Sequence, residues 1–214
     1  MSRTGVWVVV VAAGTGDRFG GPKQLATLGD RRVLDHSVAA ASAVADGVVV
    51  VVAADRVDQV EPTLGAPVVC VGGGATRSAS VRAGLEAIPA DVGVVLVHDA
   101  ARPLASVALF DRVIAAVDAG AAAVVPAVAV TDSIRHRQRG VVDRSDLVAV
   151  QTPQGFPAAV LRRAHAARGE ATDDAALVEA DGGKVVIVEG EATNLKITHA
   201  HDLAWADTLL KETS

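Results

Sequence analysis

Six short valine-rich runs, separated by amphipathic stretches, leave few folds open to this chain. Val6–Ala12, Gly47–Ala53, Val68–Val71, Val92–Val97, Ala122–Ala127 and Lys184–Val188 read as strands. Most are continuously apolar, the pattern of strands buried on both faces. Val33–Ala45, Thr76–Ile88, Ser106–Ala119, Ala158–Arg168 and Asp173–Ala180 lie between them with apolar residues at helical spacing, and His199–Leu210 closes the chain. This alternation predicts an α/β fold with a mostly parallel sheet and helices on both faces. The 214 residues suit one domain, 1–214, and no repeat, low-complexity tract or linker divides it. Only 2% of the residues are aromatic, so Val, Ala, Leu and Ile must fill the core. One segment breaks the rhythm. Val130–Gln151 begins polar, with Arg135–Gly140 as a charged turn between two short extended runs. It reads either as a β-hairpin arm at about 130–151 serving a subunit contact, or as a solvated loop.

The first strand runs straight into Gly14-Thr-Gly16-Asp-Arg18-Phe-Gly20-Gly21-Pro22-Lys23-Gln24. Glycines let a backbone approach a ligand and aim N–H groups at phosphate oxygens, and Arg18 and Lys23 add two cations. The Walker A pattern fails, because Pro22 and then Lys23-Gln24 follow Gly21. The dinucleotide fingerprint fails at Phe19, where its third glycine belongs. It would also place Pro22 inside a helix, at a cost of about 3 kcal/mol. The loop is therefore expected to stay open through Pro22 and to handle a nucleotide.

Charge and cysteine content narrow the partners. A net charge of −5 argues against a nucleic-acid backbone, so an anionic ligand must find a local basic cluster. The lone Cys70 excludes an intrachain disulfide and points to a reducing, cytoplasmic setting. Arg3 with Val6–Ala13 imitates a secretory signal, but cleavage there would sever the first strand from its loop. No apolar run approaches the roughly 18 residues of a membrane span.

Ligands of open α/β sheets collect at the carboxyl ends of the strands, and five loops bring polar chemistry to that edge. Besides the first, these are Gly72-Gly-Gly74 with Ala75–Ser78, His98–Pro103, Gln151–Gln154 and Asn194–Thr198. The triple glycine reads as a backbone closing on a flat base or as a plain strand-to-helix turn. Asp99 reads as a holder of Mg²⁺ on a polyphosphate, or as a helix cap or a partner for Arg102. His98 reads as a structural hydrogen-bonder. His199 and His201, two apart and so facing different ways on a helix, read as surface residues. Lys196, in an apolar context, calls for a buried anion, and Arg144 either does the same or decorates the hairpin.

Seven pieces, in order, carry a family resemblance over almost the whole chain: Ala12–Arg18, Pro22–Gln24, Leu34–Val38, His98–Pro103, Thr152–Gln154, Thr172–Ala175 and Asn194–Thr198. The sequence resembles the 2-C-methyl-D-erythritol 4-phosphate cytidylyltransferases, nucleotidyltransferases of a Rossmann-like, glycosyltransferase-A-like fold. Leu25, Ser133 and Ala75 depart from the family's usual aromatic, threonine and acidic residues. The resemblance implies transfer of a cytidylyl group from CTP to methylerythritol 4-phosphate in non-mevalonate isoprenoid precursor synthesis, with Mg²⁺ or another divalent cation. It implies that Arg18 and Lys23 stabilise the reacting phosphates and that Asp99 lies by the metal. Ala12, Ala13, Gly14, Gly16, Gly74, Ser80 and Ala100 would line the nucleotide. Arg144 and Lys196 would hold the substrate phosphate, with Arg102, Ser133, Thr152 and Thr172 around the polyol. It further implies a homodimer whose arms exchange, so that Ser133 and Arg144 act in trans. The alternatives are a cytidylyltransferase for another polyol phosphate such as ribitol 5-phosphate, a sugar-phosphate nucleotidylyltransferase, and a non-catalytic nucleotide-binding regulator.

Overall fold

The computed structural model describes residues 5–64, 68–167 and 169–212, leaving Arg3 and Arg168 outside. The chain opens with β1 (Val6–Ala12), a small ribbon of β2 (Thr27–Leu28) and β3 (Arg31–Arg32), α1 (Val33–Ser42) and β4 (Gly47–Val52). Next come α2 (Val57–Val60), β5 (Val68–Gly72), α3 (Arg77–Glu86), β6 (Val94–Asp99), α4 (Val107–Asp118) and β7 (Ala123–Ala129). The arm holds β8 (Ile134–His136) and β9 (Gly140–Val142), and β10 (Val148–Val150) and β11 (Gln154–Pro157) follow. The last elements are α5 (Ala158–Ala166), α6 (Asp174–Ala180), β12 (Val185–Glu189) and α7 (Ala200–Glu212). Every expected strand and helix forms. The largest boundary error is at α1, where Ala43–Ala45 fold back in a turn onto Ala39 and Ala41.

The valine runs are explained by two-sided burial. β1 pairs in parallel with β4 on one flank and β6 on the other, and β5 extends the sheet beyond β4. All six residues of β4 and of β6 are buried. Val8 and Val10 point into a core shared with Leu34 of α1 and with Leu109 and Phe110 of α4. Val9, their neighbour, points to the other side, among Val81 of α3, Leu161 of α5 and Val178 of α6. Successive strand side chains alternate faces, so a strand covered by helices on both faces has no polar row to show.

The sheet stops being parallel beyond β6, where β11 lies antiparallel between β6 and β7. Val124 pairs with Gly155 and Val186, and Ala127 pairs with Val150 and Glu189. β10 and β11 therefore run antiparallel along one flank of β7, and β12 runs parallel along the other. Gln151–Pro153 interrupt the antiparallel flank and bulge toward the carboxyl end of β6, where β11 pairs with Val94–Val97. Neither β10 nor β11 is expected from the sequence: Val148-Ala-Val150 is three residues within the arm segment, and Gln154-Gly-Phe-Pro carries no valine and no alternation. The expected hairpin is present: β8 and β9 pair antiparallel, with Ile134 opposite Val142.

Candidate active site

The loop after β1 is shaped by one carbonyl. Gly16 O accepts the backbone N–H groups of Phe19, Gly20 and Gly21, at 2.8, 3.0 and 3.2 Å. Gly16 sits at φ +74°, and a Cβ there would lie 1.8 Å from Gly21 O. Only glycine fits that turn. Pro22 ends it, as expected, and Lys23–Leu25 form a single 3-10 turn. That turn aims Lys23 inward, while Gln24 is buried and donates from Nε2 to Gly14 O at 3.2 Å, tying the loop to the end of β1.

Opposite stands the glycine loop after β5. A Cβ on Gly73 would meet Ala13 Cβ at 2.6 Å, and one on Gly74 would meet Ala79 Cβ at 2.5 Å. Close packing thus demands glycine here whatever the ligand. Ser80 Oγ donates to Thr76 O at 2.9 Å, and Thr76 Oγ1 caps α3 by accepting Ala79 N–H. The first residue of α3, Arg77, turns into the space between the loops.

The end of β6 supplies the anion. Asp99 accepts from Lys196 Nζ at 2.6 Å and lies 3.5 Å from Arg77 Nε. Burial works to raise its pKa, but the Lys196 ammonium and the Arg77 guanidinium hold the carboxyl far below its usual range. Of the partners expected for Asp99, Arg102 is not a direct one. Its guanidinium donates instead to the carbonyls of Asn194 (2.7 Å), in the loop after β12, and of Val150 (3.3 Å), at the end of β10. Nor is Asp99 a helix cap; α4 begins at Val107 behind its own Ser106 cap. Lys196 has the buried anion expected of it, yet its side chain is 42% exposed and stands over Asp99 like a lid.

His98 is structural, as its sequence context indicates. Thr152 Oγ1 accepts Asp99 N–H at 3.0 Å, so its own proton goes to His98 Nδ1 at 3.1 Å. Nε2 then carries the ring's hydrogen and donates to Arg102 O at 3.2 Å. Burial lowers the His98 pKa to about 4. An unfolded chain takes up that proton as the pH falls through about 6.5, and the folded one does not, so stability is complete above pH ~6.5 and declines toward pH ~4. Urea midpoints should fall by the equivalent of about 3 kcal/mol across this window, and His98→Gln should flatten the profile. An unchanged slope in the variant would refute the assignment.

Together these loops enclose a cavity of about 320 Å³. Ala12, Ala13, Gly14, Lys23, Gly74, Ser80, Asp99, Ala100 and Lys196 line it, all of them expected. Gln24, Thr76 and Arg77 line it as well and were missed. Arg77 had a signal: a cation at the first helical position behind a glycine loop. Gln24 had none beyond its place in Pro-Lys-Gln. Gly16 shapes the loop from behind. Arg18 is exposed but close enough to act on Lys23, whose pKa is lowered by burial first and then by the charges of Lys196 and Arg18. With Arg77, four cations gather at the cavity and its mouth, the electrostatic signature of a site for a multiply charged anion.

Asp99 is the one carboxylate among the described cavity-lining residues. Mg²⁺ takes one or two carboxylates and completes its shell with water and phosphate, so a single carboxylate suits it in kind, although here Lys196 and Arg77 hold Asp99.

Arg102 and Thr152 stand behind the cavity and brace it. Thr172 is exposed just before Asp173, the cap of α6. Ser133 and Arg144 are exposed on and beside the arm, and Arg144 donates to Thr131 O. Within the single chain these last three do not line the cavity.

Behind Arg77 lies a buried network. Asp174 is fully buried and accepts from Arg77 Nη1 at 2.8 Å and from His165 Nε2 at 3.0 Å. Gln154 Oε1 accepts the N–H groups of Asp174 and Ala175, each at 3.2 Å. A larger hollow of about 480 Å³ borders His165, between α3 and α5. It is mostly apolar, and its Arg162 is spent on the carbonyls of Ile88, Pro89 and Ala90. No strand end opens into it, so the smaller cavity is the better candidate for chemistry.

Comparison with known proteins points the same way. A family model described as 2-C-methyl-D-erythritol 4-phosphate cytidylyltransferase matches residues 6–212. A "Bifunctional enzyme IspD/IspF" of Clavibacter michiganensis subsp. michiganensis is 47% identical over 220 residues, covering 95% of this chain and 54% of that relative. The chain thus spans about half the length of the bifunctional relatives it matches. A 2-C-methyl-D-erythritol 4-phosphate cytidylyltransferase of Rhodococcus opacus is 44% identical, covering 97% of this chain and 96% of its own. Among solved structures, the Thermus thermophilus protein of that name superposes with a TM-score of 0.80 at 39% identity, covering 98% of this chain and 99% of its own.

Proposed function

The chain belongs to the 2-C-methyl-D-erythritol 4-phosphate cytidylyltransferase family, and we propose that it transfers the cytidylyl group of CTP to 2-C-methyl-D-erythritol 4-phosphate. The products are 4-diphosphocytidyl-2-C-methyl-D-erythritol and pyrophosphate. The observation that carries this reading is the crowding of Arg18, Lys23 and Lys196 at a cavity in which Asp99 is the one acid among the described lining residues. Such a site suits a triphosphate meeting a second phosphate.

A phosphate monoester has a second pKa near 6, so the nucleophile is largely dianionic at neutral pH and no general base is required. One of its oxygens forms a bond to the α-phosphorus of CTP as the bond to the β-phosphate bridging oxygen breaks, and pyrophosphate leaves with that electron pair. Catalysis is then positioning and charge stabilisation. Lys23 and Arg18 face the charge that builds on the transferred and leaving groups. The nucleoside lies against Ala12–Gly14, Gly74 and Ala100, with Ser80 fixing the loop. Lys196 moves from Asp99 to the substrate phosphate, coupling substrate arrival to exposure of the carboxylate. Asp99 would hold Mg²⁺, which supplies charge neutralisation on the triphosphate. Arg102 and Thr152 keep the Asp99 strand end in register.

We further propose a homodimer in which Ser133 and Arg144 reach the neighbouring cavity, joined by Thr172 at the polyol. Support comes from Val141 in the arm and from Val148, Val150, Val186 and Ile187 flanking β7, all exposed. Exposed apolar side chains on the arm and on the strands beside β7 gain from burial against a partner. Buried, free Cys70 suits a reducing, cytoplasmic setting.

Pyrophosphate release tests the reading. Turnover should require CTP and methylerythritol 4-phosphate, and ribitol 5-phosphate or other nucleoside triphosphates should give much less. Equal rates with ribitol 5-phosphate would overturn the substrate assignment. Mixing inactive Lys23→Ala and Arg144→Ala chains should restore activity if sites are shared, and a dead mixture would refute the exchange.

A further inference from the structure

The entry into α7 gathers two imidazoles and a carboxylate that the proposed reaction does not use. His199 precedes the helix, so the divergence expected for residues two apart on a helix does not apply. The His199 and His201 rings instead stack, with centroids 5.3 Å apart and planes within 3°. Asp202 Oδ2 accepts the N–H groups of Thr198 and His199 at 2.7 and 2.8 Å, which fixes the carboxylate beside them. Its oxygens lie 3.8 Å from His199 Nδ1 and 3.3 Å from His201 Nε2. One donor atom from each residue falls within 4.8 Å of the others.

We propose that His199, His201 and Asp202 form a binding site for a divalent transition-metal ion of the Zn²⁺, Co²⁺ or Ni²⁺ kind, separate from the Mg²⁺ of the reaction. Imidazole and carboxylate donors suit these borderline ions, whereas Mg²⁺ prefers oxygen alone. Bonds of about 2.1 Å put tetrahedral donors about 3.4 Å apart. The His199 and His201 side chains are 50% and 71% exposed, so they can turn to close that gap while Asp202 stays fixed. The Asp202 carboxylate offsets the positive end of the helix, which would otherwise oppose a cation. A bound ion would clasp the Thr198–Asp202 turn, and with it the loop that carries Lys196.

Trp205 offers a local reporter. It is 68% exposed and lies one helical turn after His201, on the same face, and the only other tryptophan is Trp7 in β1. Co²⁺ titrated into the full, tag-free chain in excess Mg²⁺ should give saturable visible absorption bands and quench the Trp205 emission. Zn²⁺ should displace it and raise the melting temperature. His199→Ala and His201→Ala should each weaken binding by about tenfold or more. The double variant should lose both signals while keeping its metal-free melting temperature, and Trp205→Phe should lose the quench but keep the absorption bands. Saturation unchanged in the double variant, or quenching that never saturates in the unmodified chain, would overturn the proposal.

Discussion

Replacing Lys23 with alanine should lower kcat by roughly 10²- to 10³-fold and leave the KM for CTP within about fivefold. In the proposed reaction the ammonium faces the phosphates, where charge grows in the transition state, so its loss falls on the chemical step more than on binding. The same substitution should leave the melting temperature unchanged or slightly higher. Lys23 is partly buried and crowded by Lys196 and Arg18, which lower its pKa, so its charged form opposes folding. By the same sign, stability conferred around this residue rises as the pH climbs toward the ordinary lysine range. A residue that costs stability but carries turnover is a functional one. A kcat within about threefold of the parent chain would remove Lys23 from the chemistry.

Asp174→Ala should be strongly destabilising for a polar substitution, at about 3 kcal/mol. The carboxylate is fully buried between Arg77 and His165, and its removal leaves the guanidinium half-paired and His165 Nε2 without an acceptor. His165 Nδ1 is already buried without a hydrogen-bond partner, so the ring would have none. For a domain of this size the loss corresponds to about 6–12 °C in melting temperature. Asp174→Asn keeps the shape and part of the hydrogen bonding and should lose less. Asp181→Ala breaks an exposed pair with Arg163 and should cost less than about 1 kcal/mol. Melting of Asp174→Ala within about 2 °C of the parent chain would show that the network carries no such weight.

Much of the fold was legible because each local pattern and the tertiary arrangement agree. Val8, Val9 and Val10 are all apolar since both faces of β1 are covered, and a run of valines says so without coordinates. Pro22 likewise announced where the first loop must end. The misses share a cause. β11 is held by β6 and β7, not by its own composition, and Gln154 looks like a loop residue until Asp174 is seen beside it. Arg102 looked free to reach Asp99, but the carbonyls of Val150 and Asn194, far along the chain, claim it. The i, i+2 rule points His199 and His201 in different directions, but α7 begins at Ala200, one residue too late for the rule to hold.

Local chemistry written along the chain therefore determined the parallel strands, their helices, and the glycine loop that presents Lys23. Valine burial, proline geometry and glycine packing act over a few residues, and a few residues are enough to read them. Only the tertiary structure decided which charges meet. Asp99 finds Lys196 and Arg77, and Arg77 finds Asp174, across separations of 97 residues in two of these pairs. Charge pairing depends on distance in space and on what water is excluded, and neither is written in the spacing of residues along a chain.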